Sequence, residues 1–171
     1  MSGVLSADRT IVAKLTLVSQ SRTCPARDGR PSSSRDNASE MARNADVLRP
    51  VYDEWEHGNL RAGTELLDPQ IESVWPTEFP SGGTFHGRQG HAKAMREWLA
   101  PWEDFRLTVE GVFEAEDRVV VPFRVHARGR GSGVDVERRW AHVWTMRDGK
   151  AVRFEVHLDP EEALAGAGLR G

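Results

Sequence analysis

The chain has 171 residues, of which 39% are hydrophobic and 29% charged, and its formal net charge at pH 7 is −3. This suits one ordinary globular domain and argues against nucleic acid as a partner, because binding phosphates requires a basic surface. No apolar run approaches the roughly 20 residues that cross a bilayer, and the single cysteine, Cys24, excludes an internal disulfide framework and a cysteine-based zinc site.

Residues 1–40 have the composition of a disordered extension. The run SQSRTCPARDGRPSSSRDNASE is rich in Ser, Arg, Asp and Pro and shows no hydrophobic periodicity. The apolar patch IVAKLTLV is short and contains Lys14, which argues against a signal peptide. We therefore expect a cytoplasmic protein whose domain occupies residues 41–171, with Met41 as its natural start.

Helical patterns dominate the first part of that domain. In NADVLRPVYDEWEHGNL, the apolar residues Leu48, Val51, Tyr52 and Trp55 recur at helical spacing, and Gly58 is a stop signal. LRAGTELL predicts a second short helix, DPQ a turn and IESVW a strand. After the loop PTEFPSGGT, the run GRQGHAKAMREWLAPW predicts a third helix. Its apolar side is expected to carry Met95, Trp98, Leu99 and Trp102.

Strand patterns fill the second part: FRLTVEGVFEAE, RVVVPFRVHAR, VDVERRWAHVWTM and AVRFEVHL, with turns at ED, GRGSG and RDG. In the third of these, a period of two puts Trp140, His142 and Trp144 on one face. A final helix begins at DPEEALAGAG, with Asp159 as N-cap and Pro160 in its first position. This order predicts an α+β domain with helices on one face of a curved sheet.

Several chemistries have little support in the sequence. FHGRQGH lacks the ending of a phosphate-binding loop. His86 and His91 are not an i,i+4 pair, and His126, His142 and His157 lie on three separate predicted strands without an HxH motif, so we expect no metal and no cofactor. No GxSxG motif is present for nucleophilic catalysis.

The tryptophans form the main candidate site. An indole is large and its N–H needs a partner, so these residues are either core or the wall of a ligand pocket. His142 lies between two of them, as a structural residue or as a neutral imidazole that donates to a ligand or acts as a base. The six residues are Trp55, Trp75, Trp98, Trp102, Trp140 and Trp144.

Residues 44–169 resemble the SnoaL-like branch of the nuclear transport factor 2-like superfamily. The resemblance is carried by VYDEWEHGNLRAGTELLDPQIESVWP, GTFHGRQGHAKAMREW and TMRDGKAVRFEVHLDPEEALAGAGL. It implies a cone-shaped, curved mixed β-sheet wrapped around the N-terminal helices, with an internal pocket. Many members are dimers through the outer face of the sheet, so a homodimer is expected here. The superfamily includes isomerases, polyketide cyclases, epoxide hydrolases, dehydratases and non-catalytic binders.

The resemblance transfers few catalytic residues. Where ketosteroid isomerases have a general-base Asp before a proline, this chain has Trp75, and their helix-1 tyrosine aligns with Val51, beside Tyr52. The place of their oxyanion-stabilising acid falls near His142.

The other catalytic places are similarly altered. The acid/base Asp of SnoaL-type cyclases corresponds to Val156, and the Arg–x–Asp pair of epoxide hydrolases corresponds to Arg138 and Trp140. Three carboxylate places are thus apolar or aromatic, which argues against the usual mechanisms of these enzymes. The alignment places His142 on the pocket side, with Phe154, Val156 and Leu158 on the pocket side of the last strand.

These patterns favour a domain that binds a small apolar, cyclic or aromatic molecule. The expected lining is Trp55, Trp75, Trp98, Trp140, Trp144, Phe154 and Val156. One alternative is an isomerase, cyclase or dehydratase that uses His142, assisted by Tyr52 or Arg138. A second alternative is a non-catalytic dimeric interaction domain.

Overall fold

The computed structural model describes residues 43–169, so the predicted disordered extension at residues 1–40, including Cys24, lies outside the described part. Its helices are α1 (Asn44–Glu56), α2 (Gly87–Leu99) and α3 (Pro160–Gly166), with a 3-10 turn at Thr64–Leu66. Its strands are β1 (Leu67–Trp75), β2 (Gly83–His86), β3 (Trp102–Val109), β4 (Phe113–Ala115), β5 (Arg118–Gly129), β6 (Asp135–Arg147) and β7 (Lys150–His157).

The strands form one mixed sheet in the order β2-β1-β7-β6-β5-β3, with β4 also paired to β5. Only β1 and β7 run parallel; the other neighbours are antiparallel. The sheet is not closed, and with the helices it makes an α+β cone-like fold, as the sequence predicts. Within the described residues, no helix is long and apolar enough to cross a membrane.

Helix α1 follows its hydrophobic stripe, with Leu48, Val51, Tyr52 and Trp55 all buried. Its first turn has no side-chain cap from its own N-terminal residue. The Glu114 carboxylate of β4 accepts instead from the backbone N–H groups of Asn44 and Ala45, each at 3.1 Å. A distant strand thus satisfies donors that a helix start leaves unpaired.

Alternate side chains of β6 point to opposite faces of the sheet and belong to two separate hydrophobic clusters. Trp140 and Trp144 pack into the main core with the buried residues of α1 and α2, whereas Ala141 and Val143 pack with Ala163 of α3. The expectation that helices lie on one face is therefore confirmed for α1 and α2 and wrong for α3. Helix α3 covers the outer face of β5 and β6, which is why β5 is buried on both faces over residues 119–123. The expected homodimer through that outer face stays a prediction.

Turn chemistry places the last elements as predicted. Between β6 and β7, Asp148 and Gly149 both have positive φ, the conformation of a two-residue type I′ hairpin loop. At α3, one carboxylate oxygen of Asp159 accepts from the N–H groups of Glu161 and Glu162, and Pro160 occupies the first helical position.

Leu158 is 38% exposed beyond the end of β7, so its predicted place on the pocket side is wrong.

Several boundaries differ from the predictions. DPQ lies within β1, where the register against β7 shifts, because Pro69 has no N–H to donate to the ladder. Trp102 begins β3 instead of extending α2, since Pro101 prevents the helix from continuing. The single strand predicted for FRLTVEGVFEAE is two strands, β3 and β4. The predicted loop before α2 contains the start of β2, and the helix predicted for LRAGTELL is only a 3-10 turn.

Candidate functional site

A cavity of about 520 Å³ lies between α1, α2 and the segment that joins α1 to β1. Its floor is apolar, whereas exposed residues of α2 and of the joining segment form its rim. Helices α1 and α2 each contribute apolar side chains to the floor, and Trp144 of β6 lies beneath them. The apolar lining includes Leu48, Val51, Trp55, Met95, Leu99 and Trp144.

The segment after α1 is held against the helix by a hydrogen bond from Trp55 and by the close approach of Gly63 to Val51. Trp55 Nε1 donates to the carbonyl oxygen of Ala62 at 3.1 Å. Gly63 has φ +84°, and a methyl group there would lie 2.7 Å from Val51 Cγ1. Glycine is therefore required both for the backbone conformation and for the close approach. Together these contacts set the width of the cavity on the α1 side.

Helix α2 presents a polar residue within the cavity. His91 is 6% exposed and lines the cavity, and its Nδ1 lies 2.8 Å from Ser73 Oγ. Burial lowers the pKa of His91 to about 4, so the imidazole is neutral at pH 7.

The Ser73 contact also fixes which nitrogen of His91 carries the proton. Ser73 is fully buried, and within residues 43–169 its hydroxyl proton has no acceptor other than His91 Nδ1, so we assign the hydroxyl as the donor to Nδ1. The proton of His91 then sits on Nε2. Within residues 43–169, Nε2 has no hydrogen-bond partner, and the His91 side chain lines the cavity. His91 therefore offers an N–H donor toward the cavity.

Behind the cavity floor, three side chains form a buried hydrogen-bonded chain. Trp144 Nε1 donates to Tyr52 Oη at 2.8 Å, and Tyr52 Oη lies 2.8 Å from His142 Nδ1. Within residues 43–169 the buried Tyr52 hydroxyl proton has no acceptor other than His142 Nδ1, so we assign the hydroxyl as the donor to Nδ1. Burial raises the pKa of Tyr52 above its ordinary value. Burial, with smaller effects of His91 and His157, lowers the pKa of His142 well below its ordinary value.

The predicted catalytic residues lie outside the lining of this cavity. His142 is 2% exposed and is covered by the rings of Tyr52, Phe123 and Phe154. The ring centroids of His142 and Phe123 are 4.2 Å apart. Arg138 is exposed, and its Nη1 donates to the carbonyl oxygen of Glu137. Their proposed roles in catalysis stay predictions.

The predicted ligand-binding residues divide into two groups. Trp55 and Trp144 line the cavity. The others are buried in the adjacent core, where their rings pack against one another: Trp75, Trp98, Trp140, Phe154 and Val156. In the described chain, Trp75 Nε1 is the one fully buried side-chain nitrogen or oxygen without a hydrogen-bond partner.

The sequence contained a signal for the cavity that the predictions did not use. The spacing of His86 and His91 predicts no metal site, but His91 also belongs to an i,i+3,i+4 stripe of α2. Over residues 43–169, no three His, Cys, Asp or Glu side chains come together as a metal-binding group. The stripe that faces the cavity is Arg88, His91, Ala92, Met95, Arg96 and Leu99.

A family model and several solved structures are similar to this chain. A family model described as the SnoaL-like domain matches residues 48–154. No curated protein matches the chain. An NTF2-like protein of unknown function from Burkholderia pseudomallei is 25% identical with a TM-score of 0.62, and the match covers 73% of this chain and 97% of that protein.

Two further solved structures are similar over most of their length. An NTF2-like protein from Burkholderia thailandensis is 25% identical with a TM-score of 0.64, covering 75% of this chain and 98% of that one. TerC, co-crystallised with polyporic acid, is 26% identical with a TM-score of 0.60, again covering 75% and 98%.

Proposed function

The chain belongs to the SnoaL-like domain family, and on that basis we propose that it binds a small apolar, cyclic or aromatic molecule in the cavity between α1 and α2. The cavity volume of about 520 Å³ lies within the range of small-molecule sites, roughly 300–1,000 Å³. TerC, a structural relative that was co-crystallised with polyporic acid, supports small-molecule binding by this fold.

One observation carries the proposal: the two indoles of the lining have their N–H groups engaged inside the protein. Trp55 donates to Ala62 and Trp144 donates to Tyr52, so both present carbon surface to the cavity. His91 is the buried side chain of the described lining that keeps a free hydrogen-bonding edge. Apolar walls with one fixed donor are typical of a site that takes a mostly apolar ligand and orients it by a single polar atom.

The strength of binding should be moderate. Each 100 Å² of apolar ligand surface removed from water contributes about 2.5 kcal/mol. Association costs at least about 4 kcal/mol in lost motional freedom. A bicyclic or tricyclic aromatic molecule that buries most of its surface should therefore bind with a dissociation constant in roughly the micromolar range.

The test uses the neutral fluorescent probe N-phenyl-1-naphthylamine and a matched pair of variants on α2. Ala92 lines the cavity, whereas Gln89 is exposed on the same helix outside the lining. Ala92→Phe fills the cavity and should weaken binding at least about tenfold, while Gln89→Phe should leave it within about twofold of wild type. Absence of probe binding to the wild type, or equal affinities of the two variants, would contradict the proposal.

Catalysis is the second candidate function, favoured by the chain of hydrogen bonds behind the cavity floor. Trp144 lines the cavity, and through Tyr52 it connects to the neutral imidazole of His142. In this alternative His142 is the polarising donor through its Nε2 proton, or the base once Nδ1 releases the Tyr52 hydroxyl, with Tyr52 or Arg138 assisting. A substrate found among the bound compounds by mass spectrometry should be converted by the wild type, and His142→Ala should lose this turnover but keep ligand binding. Turnover that is unchanged in His142→Ala would refute the role.

A further inference from the structure

The charged side chains around the cavity all have the same sign. The lining contains Arg61, Arg88 and Arg96 and, among the described residues, no Asp or Glu. The whole chain has a formal net charge of −3, so the positive charge of this rim is opposite in sign to the net charge of the protein. With His91 neutral at pH 7, the arginines are the charges that a bound molecule meets.

The helix geometry arranges two of these arginines along one edge. Arg88, Ala92 and Arg96 follow each other at intervals of four residues and form one row on α2, about 12 Å long over two turns. His91 and Met95, one position earlier in each turn, are buried deeper than this row. Arg61 lies in the joining segment on the α1 side of the cavity. The cavity is therefore apolar inside and cationic at its opening.

Arg88 is held in place without being neutralised. Its Nε donates to the carbonyl oxygen of Leu67 at 2.7 Å, which leaves the two terminal amino groups of the guanidinium for another acceptor. In the described structure, none of the three rim arginines has a carboxylate partner within 4.0 Å. By contrast, Arg139 and Arg153 on the sheet are paired with Glu110 and with Glu72 and Glu155.

We propose that the ligand is an amphipathic anion, whose apolar ring body lies against Trp55 and Trp144 and whose oxyanion group is bound at the rim by Arg88. Arg96 and Arg61 add to the positive potential there, and His91 Nε2 donates to an uncharged oxygen of the ring body. A guanidinium fixed through one nitrogen suits bidentate recognition of a planar oxyanion such as a carboxylate. The inference rests on the proposed function and names the class of ligand.

The test compares two fluorescent probes that share a ring system and differ in charge. 1-Anilinonaphthalene-8-sulfonate carries an oxyanion group, and N-phenyl-1-naphthylamine is neutral. Arg88→Gln should raise the dissociation constant of the sulfonate about fivefold and change that of the neutral probe by less than about twofold. Arg96→Gln, which removes no hydrogen bond found in residues 43–169, should act in the same direction. Arg147→Gln, an exposed arginine outside the lining, is the matched control and should change neither affinity.

Salt provides a second measurement on the unaltered protein. Raising the ionic strength to about 0.3 M should weaken binding of the sulfonate and leave the neutral probe unaffected. Equal effects of Arg88→Gln and Arg96→Gln on both probes, or no effect on either, would overturn the inference. If the neutral probe binds and Ala92→Phe blocks it, the proposed function stands even when the preference for anions fails. If the neutral probe does not bind the wild type, the proposed function itself fails.

Discussion

Tyr52 on α1 and His142 on β6 lie 90 residues apart in the sequence, and their Oη and Nδ1 atoms are 2.8 Å apart in a fully shielded position. Tyr52 also accepts from Trp144 Nε1. The phenol thus connects the helix to the wall of the sheet and determines that the proton of His142 sits on Nε2. Tyr52 is first of all a structural link between α1 and β6.

Removing the Tyr52 hydroxyl should therefore be costly. Tyr52→Phe leaves the Trp144 N–H and the His142 Nδ1 lone pair buried without a partner, and each unsatisfied group costs about 1–3 kcal/mol. We expect the free energy of unfolding to fall by about 2–4 kcal/mol in urea denaturation. A loss below about 0.5 kcal/mol would show that water or rearrangement satisfies both groups and would contradict the hydrogen-bonded chain of Trp144, Tyr52 and His142.

The buried histidines predict how stability depends on pH. Burial lowers the pKa of His91 from 6.5 to about 4 and lowers that of His142 in the same direction. Below pH 6.5 the unfolded chain binds protons that the native protein does not, so the free energy of unfolding decreases as the pH falls from about 6.5 toward 4. Each histidine should contribute about 1.4 kcal/mol per pH unit in the middle of that window.

Urea denaturation between pH 7.5 and 5 measures this slope. His91→Gln should remove about half of it, whatever the change in absolute stability, because one of the two depressed groups is gone. A wild-type stability that is flat across this range, or a slope that the variant leaves unchanged, would contradict the assignment.

Glu114 should stabilise α1 from a distance. Its carboxylate accepts from the N–H groups of Asn44 and Ala45, where the helix dipole favours negative charge. Glu114→Gln removes the charge and one of the two acceptors, and we expect a loss of about 1 kcal/mol. Glu116, an exposed residue of the turn between β4 and β5, provides the control, and Glu116→Gln should be neutral. Equal stabilities of the two variants would disprove the capping role.

Gly63 and Gly58 form a matched pair for the joining segment. Both have positive φ, +84° and +90°, but a methyl group at Gly63 would meet Val51 at 2.7 Å while one at Gly58 would meet nothing within 4 Å. Alanine at either position incurs backbone strain of about 1–2 kcal/mol. Gly63→Ala should cost a further 1–3 kcal/mol, roughly, from overpacking. It should also weaken probe binding, because the displaced segment lines the cavity. Identical effects of the two substitutions would show that the Val51 contact is unimportant.

Local patterns predicted much of the fold from the sequence. The stripe of α1, the alternation of β6 and the Asp159 cap each depend on neighbouring residues, and the structure confirms all three. The side of the sheet that α3 covers could not be predicted in this way, because Ala163 packs with Ala141 and Val143 only in the folded chain.

The cavity was harder to predict than the fold. Six tryptophans indicate a large aromatic interior, but periodicity does not tell which rings pack against each other and which border an empty space. Trp75, Trp98 and Trp140 fill the core together, whereas Trp55 and Trp144 are left beside the gap between α1 and α2. That difference arises from the packing of side chains that are far apart in the sequence.

A crystal structure of the protein with 1-anilinonaphthalene-8-sulfonate would show where an amphipathic anion binds. We expect the ring system in the cavity, in van der Waals contact with Trp55 and Trp144, and the sulfonate at the rim beside Arg88. A probe bound elsewhere, such as on the outer face of the sheet beside α3, with the cavity between α1 and α2 empty, would contradict the proposed binding site.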